Sequence, residues 1–196
     1  MKATQTLPEN VALAWQIDLE KDKRLMVLLQ VIAIPWSLLV LALLGLYAYW
    51  LKPGLFDSTL TLRFSLWSLL ALLAVSVLAI LLHEWVHGLF FWQFTREKPK
   101  FGFKGLYAYA SAPGWYFDKS IYWLIGLAPL VLLSLAGLLA ALFIPQNWLF
   151  TLLFGIFINA SGAIGDLYIV IRLAFEPAGT LVGDQGTSFS AFRLKP

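Results

Sequence analysis

Four long apolar runs dominate the chain and restrict it to folds that a lipid bilayer can accommodate. They cover residues 25–50, 62–92, 121–144 and 148–175, and each exceeds the roughly 20 residues that a helix needs to cross a hydrocarbon core. Hydrophobic residues make up 60% of the sequence and charged residues 13%, whereas soluble domains carry roughly 25% charged residues. We therefore predict an all-α polytopic membrane protein, a single domain over 1–196 with four transmembrane helices.

The positive charges predict how these helices are oriented. Of the 14 Lys and Arg residues, all except Lys52 and Arg63 lie in the N-terminal tail, between the second and third runs, or from the end of the fourth run onward. Segments rich in Lys and Arg stay on the cytoplasmic side, so we expect a multi-pass protein of the cell membrane with both termini and the 94–119 loop in the cytoplasm. The first 24 residues lack the features of a signal peptide, so the first run is expected to remain as an anchor. The basic residues form no stripe interleaved with aromatic side chains, which argues against nucleic acid as a partner.

Two segments outside the runs carry turn residues. In the 94–119 loop, KFGFKG and LYAYAS alternate with a period of two and are punctuated by Gly and Pro, which predicts a short β-hairpin. The alternative is an aromatic loop lying on the lipid headgroups. The tail, 177–196, is rich in Gly and Ser, and we expect it to be largely irregular, with Asp184 as a solvated turn residue.

The second run contains the polar stretch LLHEWVHGLF, which holds both histidines of the chain, His83 and His87. With Glu84 they form the pattern H-E-x-x-H. Residues four apart share one face of a helix, so both imidazoles can reach a single metal ion, whereas Glu84 projects about 100° away, a direction suited to a general base. A purely structural hydrogen-bonded cluster is the alternative, but an acid in mid-membrane costs about 2.5–3.5 kcal/mol and usually marks function. Because the chain has no cysteine, a metal here would be bound through nitrogen and oxygen.

A third metal ligand is needed, because catalytic zinc usually takes three protein ligands and keeps one position open. Asp166 is the only other acid well inside a run. His87 lies six positions before Gln93, and Asp166 lies six positions before Arg172. Each is therefore about 9 Å from the polar residue at the cytoplasmic end of its own run. The other interpretation of Asp166 is a lone acid paired with Arg172.

Three further residues are candidates for substrate contact. Asn159 shares a helical face of small residues with Asp166, formed by Gly155, Asn159, Gly162 and Asp166, and such faces let membrane helices approach closely. Its amide can bind the substrate backbone or can serve only to pack the helices. Tyr107 and Tyr109, in the alternating part of the loop, are the other two candidates.

An H-E-x-x-H pattern in one helix, followed about 80 residues later by an Asp in a second helix, resembles the site-2 protease class of intramembrane metalloproteases. The segments LLHEWVHGLFFW, KPKFGFKGLYAYASAPGWYF and NASGAIGDLY more closely resemble a family of small bacterial membrane proteins described as zincin peptidases. This resemblance covers roughly residues 80–170. It implies that His83, His87 and Asp166 bind Zn²⁺ and that Glu84 is the catalytic carboxylate.

Two functions are compatible with these residues. The first is an intramembrane zinc endopeptidase that hydrolyses a peptide bond of a membrane protein or membrane-associated peptide near the cytoplasmic face, with Glu84 as general base. Its substrate must be locally extended, and an edge strand in residues 101–112 can pair with it. The second is a non-catalytic membrane protein that binds or transports a metal with the same ligands and has no need of Glu84. A transporter should carry polar groups toward the far face, but residues 62–82 offer only Arg63 and three serines.

Overall fold

The computed structural model describes residues 3–55, 65–104 and 107–195, and these contain five α-helices and seven β-strands. The helices are α1 Lys23–Leu51, α2 Leu66–Thr95, α3 Lys119–Ala141, α4 Gln146–Gly162 and α5 Ile164–Ala174. The predicted start of the second run, with Arg63, lies outside the described residues. By length and composition α1, α2 and α3 can each cross a membrane, and α4 with α5 can form one further, bent span.

The fourth predicted run is a bent pair of helices instead of one continuous helix. The axes of α4 and α5 differ by 43°, and the break is at Ala163, whose backbone is at φ −72° and ψ 7°. Glycines flank it at positions 162 and 165, and small flexible residues of this kind are common at helix kinks. The bend puts Asp166 in the first turn of α5.

The prediction of an all-α protein was wrong, because the segments outside the helices form an antiparallel sheet. The strands are β1 Ala3–Thr4, β2 Val11–Asp18, β3 Lys100–Lys104, β4 Tyr107–Ser111, β5 Tyr116–Asp118, β6 Leu181–Asp184 and β7 Ser188–Leu194. Five of them pair in the order β1-β5-β6-β7-β2, and β3 pairs with β4. The β3–β4 pair confirms the predicted hairpin.

The prediction of an irregular tail was also wrong, since β6 and β7 are inner strands of the five-stranded sheet. Their residues alternate in burial: Val182 and Ala191 are fully buried, and Asp184 is 5% exposed instead of solvated. The period-two alternation of Leu181–Asp184 and Ser188–Leu194 was the informative pattern, and the Gly and Ser content obscured it. Gly186, at φ +94°, provides the left-handed turn between the strands.

The sheet joins three distant parts of the chain beside one end of the helices. The N-terminal β2 pairs with the C-terminal β7, while β5, which leads into α3, pairs with β1 and β6. A buried apolar cluster connects the sheet to the helix ends through residues such as Phe91 of α2 and Phe117 of β5, whose rings are 5.5 Å apart. The sheet therefore caps the helical bundle at the end where α2 terminates and α3 begins.

Candidate metal centre

His83, His87 and Asp166 meet at one point between α2 and α5. Nε2 of His83 lies 3.0 Å from Oδ2 of Asp166, and Nε2 of His87 lies 3.5 Å from Oδ1 of the same carboxylate. One nitrogen or oxygen atom from each residue can be chosen so that all three lie within 4.8 Å of one another. Both histidines are buried. In the described part of the chain, this is the group of His and acidic side chains that is arranged to hold a metal ion.

The imidazole of His87 is held by the backbone of α3. Its Nδ1 lies 3.0 Å from the carbonyl oxygen of Ile125. A carbonyl oxygen only accepts hydrogen bonds, so the proton of the neutral ring is on Nδ1. The lone pair of Nε2 is then directed at Asp166.

The imidazole of His83 is held in the same way by Asn159 of α4. The amide nitrogen of Asn159 donates to the carbonyl oxygen of Pro129 and to Oγ of Ser134, each at 3.3 Å. The Pro129 oxygen can only accept a hydrogen bond, so the nitrogen of the Asn159 amide must face it. The amide oxygen, Oδ1, then faces Nδ1 of His83 at 3.0 Å. His83 therefore also presents the lone pair of its Nε2 to Asp166.

Two imidazole lone pairs and a carboxylate thus face one another in a buried place, and they repel unless positive charge lies between them. Two imidazole nitrogens and one carboxylate oxygen are a donor set used by catalytic zinc, which keeps its fourth position for water or substrate. Metal-binding histidines almost always donate their other N–H to a carbonyl or carboxylate oxygen, as His83 and His87 do here. The three residues therefore fit Zn²⁺ in donor chemistry and in orientation.

Close approach of the helices depends on glycines at their contacts. A Cβ on Gly155 of α4 would lie 2.9 Å from Cγ2 of Val75 of α2. Similarly, a Cβ on Gly126 of α3 would lie 2.9 Å from Cγ2 of Val170 of α5. Gly162, the other glycine of the predicted small-residue face, has no atom within 4 Å of such a Cβ, so only the first half of that face is used for tight packing.

Glu84 lies in the wall of an open groove of about 490 Å³, which we call the Glu84 groove. One wall belongs to α2 and the other to the β3–β4 hairpin. The groove is lined, besides Glu84, by Leu81, Leu82, Trp85, Phe101, Gly102, Phe103, Ala108 and Tyr109. The backbone N–H of Ala110 in β4 faces the Glu84 carboxylate.

A family model described as "Putative zincin peptidase" matches residues 76–181, just over half of the chain. The chain belongs to this family. The matched residues include the three ligand candidates, Glu84, and the hairpin. No curated protein and no solved structure matches the chain.

The three residues that the sequence suggested for substrate contact lie in different surroundings. Tyr109 lines the Glu84 groove, and its ring occupies the space that a side chain at Gly102 would need. Asn159 is buried against His83 and does not line the groove. Tyr107 pairs with Lys104 in the hairpin, and its side chain lies outside the described part of the structure.

Sequence reasoning missed a second polar cluster, which lies on the sheet side of His83, His87 and Asp166. The hydroxyl of Tyr122 donates to Oδ2 of Asp184 at 2.6 Å, and the N–H of Gly186 donates to Oδ1 at 2.7 Å. Burial raises the pKa of Asp184 to about 7, although both hydrogen bonds oppose that shift. The alternation of Asp184 with the buried Val182 along β6 was the available signal.

Proposed function

We propose that this protein is a membrane-embedded zinc endopeptidase that cuts membrane proteins or membrane-associated peptides near the cytoplasmic face. The observation that carries the proposal is the convergence of His83, His87 and Asp166 next to a groove that contains Glu84. Membership of the zincin family supports peptidase chemistry. A second feature supports an intramembrane peptidase of the site-2 protease type. The three candidate ligands are placed on apolar helices, α2 and the bent α4–α5 pair.

The pairing of the strands supports the proposed orientation in the membrane. Strands before α1, between α2 and α3, and after α5 all belong to one sheet, which supports a common side of the bilayer for these segments. The chain must then cross an even number of times, which requires α4 and α5 together to form one crossing. Because nearly all Lys and Arg residues belong to these segments, the shared side is assigned to the cytoplasm.

The residues of the centre have distinct tasks in the proposed reaction. His83, His87 and Asp166 would hold the metal, which when bound polarises the scissile carbonyl and acidifies water. Glu84 accepts the proton of the attacking water and passes it to the leaving nitrogen, as a general base that becomes a general acid. Asn159 and the Ile125 carbonyl keep both imidazoles in the orientation that leaves Nε2 free.

Strand β4 supplies a surface for an extended substrate. Among the described residues β4 pairs with β3 alone. Backbone groups of an antiparallel strand point alternately toward and away from the partner, and the N–H of Ala110 points away, to Glu84. Ala108, two residues earlier, then presents its backbone at that same edge. A peptide added there by β-strand pairing would pass directly beside Glu84.

The test compares wild type with Glu84→Gln and His87→Ala after purification and in cells. Metal content is measured by elemental analysis, and cleavage by quantifying new N-termini in membrane fractions of cells expressing each variant. We expect Glu84→Gln to keep the metal and to lose cleavage about 10²- to 10⁴-fold, the usual contribution of a general base, while His87→Ala loses both. Cleavage by Glu84→Gln close to the wild-type rate would contradict the peptidase mechanism. Bound metal in wild type without any cleavage that depends on Glu84 would instead support a metal-binding or metal-transporting protein.

A further inference from the structure

The Glu84 groove has the size and lining of a binding site for an apolar group. Its volume of about 490 Å³ falls within the roughly 300–1,000 Å³ typical of ligand clefts. Glu84 is the one charged residue among those that line it, and the others are leucines, aromatic residues, an alanine and a glycine. An anionic group entering it would lose hydration without gaining a cationic partner.

The groove opens sideways along α2. Leu81, Trp85 and Phe101, from its two walls, are 48%, 56% and 53% exposed. Since α2 is one of the helices able to cross a bilayer, exposed apolar walls on it face lipid. A segment of a membrane protein can therefore reach Glu84 laterally, without first leaving the hydrocarbon.

The register of the hairpin turns its apolar face to the groove. Phe101 pairs with Ala110 and Phe103 with Ala108, so these four side chains lie on one face. The ring of Phe101 contacts the position where Gly88 of α2 lacks a side chain, which shows that this face is turned to α2. The hairpin therefore places an apolar surface and the backbone edge of Ala108 on the same side of Glu84.

We propose that the Glu84 groove is the specificity pocket of the enzyme and binds a large apolar side chain, of the leucine or phenylalanine class, next to the scissile peptide bond. This inference rests on the proposed peptidase function and adds the class of substrate to it. A peptide satisfies both parts of the surface, since its side chain fills the apolar groove while its backbone pairs with β4. A lipid acyl chain fills only the groove, because it has no groups that hydrogen bond to the strand edge.

The natural absence of cysteine permits a binding test that does not depend on catalysis. Ala108→Cys and, separately, Leu81→Cys are introduced into the Glu84→Gln background, and the rate of alkylation by N-ethylmaleimide is measured in detergent. Two synthetic apolar peptides are added that differ at one central position, Leu in one and Asp in the other. Leu78→Cys, an exposed position of α2 outside the groove lining, is the matched control.

We expect the Leu peptide to slow alkylation at positions 108 and 81 several-fold, the Asp peptide to have little effect, and position 78 to respond to neither. Equal protection by both peptides, or protection by neither, would refute the proposal that the groove selects a large apolar side chain. Equal protection by phospholipid alone would assign the groove to an acyl chain and would also overturn it. Cleavage of the Leu peptide is also measured with Glu84 intact, which distinguishes the two proposals. Cleavage without protection from alkylation would refute only the specificity pocket. Protection without cleavage would refute only the peptidase function.

Discussion

The His83 Nδ1–H donates to Oδ1 of Asn159 at 3.0 Å, and the carbonyl of Pro129 determines which way that amide points. Asn159→Leu removes the acceptor while keeping a side chain of similar size. We expect metal affinity to fall about 10- to 100-fold, the usual effect of losing a partner of a metal-binding histidine. Competition with a chelator of known affinity measures it. Ser134→Ala is the control, since it removes only one of the two acceptors of the Asn159 amide nitrogen and leaves the Pro129 carbonyl in place. An equal loss of affinity in both variants would count against this role of Asn159.

Two acids with different surroundings, the half-buried Asp166 and the buried Asp184, can be distinguished by the metal content of their variants. Asp166 faces both Nε2 atoms, whereas Asp184 binds Tyr122 and Gly186. Asp166→Asn should therefore lower the bound metal well below one ion per protein, and Asp184→Asn should retain it. Elemental analysis of the two purified variants checks this. Equal metal content in both would remove Asp166 from the ligand set.

The buried Asp184 should make the stability of the protein depend on pH. Its pKa is raised to about 7, above the value of about 3.9 in unfolded chains. The folded state then holds a proton that the unfolded state releases, so this stabilisation is complete below about pH 4 and is lost as the pH rises through about 7. The neighbouring groups that act on Asp184 are Tyr122, His87 and Asp166, and all three are unchanged in Asp184→Asn.

Comparison of wild type with Asp184→Asn isolates the contribution of Asp184 to the pH dependence of stability. We expect the unfolding temperature of wild type to fall from about pH 5 to about pH 8 more than that of Asp184→Asn, by an amount on the order of a few degrees. Tryptophan fluorescence during heating measures both curves. Parallel curves would show that Asp184 does not change its protonation on unfolding in this range.

The orientation proposed for the helices predicts which positions are accessible from outside the cell. Lys98, after α2, and Asn147, in the first turn of α4, are both exposed and lie toward opposite ends of the helices. In intact cells an impermeant maleimide should label Asn147→Cys and should label Lys98→Cys only after the membrane is permeabilised. The reverse pattern would invert the orientation and place the sheet outside.

The convergence of His83, His87 and Asp166 was largely predictable because much of its geometry is local. Two histidines four residues apart on a helix share a face whatever the rest of the fold is, and the scarcity of acids in the apolar runs left Asp166 as the partner. The carbonyl of Ile125 was not predictable in this way. Every residue has a carbonyl, so no residue type marks the one that accepts from His87.

The sheet was not predicted because its pairing is non-local. Val11 is opposite Leu194, and Asp18 is opposite Ser188, so neither strand has a neighbour in sequence that indicates its partner. The burial of Asp184 follows from that pairing and was missed with it. The bend at Ala163 was missed for a different reason, since hydropathy continues unchanged across the break and only the small residues around it signal a kink.

The pairing of β2 with β7 also sets the order in which this protein can be completed during its synthesis. The helices can enter the membrane one after another, but Val11–Asp18 has no partner until Ser188–Leu194 has left the ribosome. At roughly 5–20 residues per second, the first strand waits on the order of ten seconds or more for this partner. The sheet beside His83, His87 and Asp166 is therefore completed only after all five described helices have been synthesised.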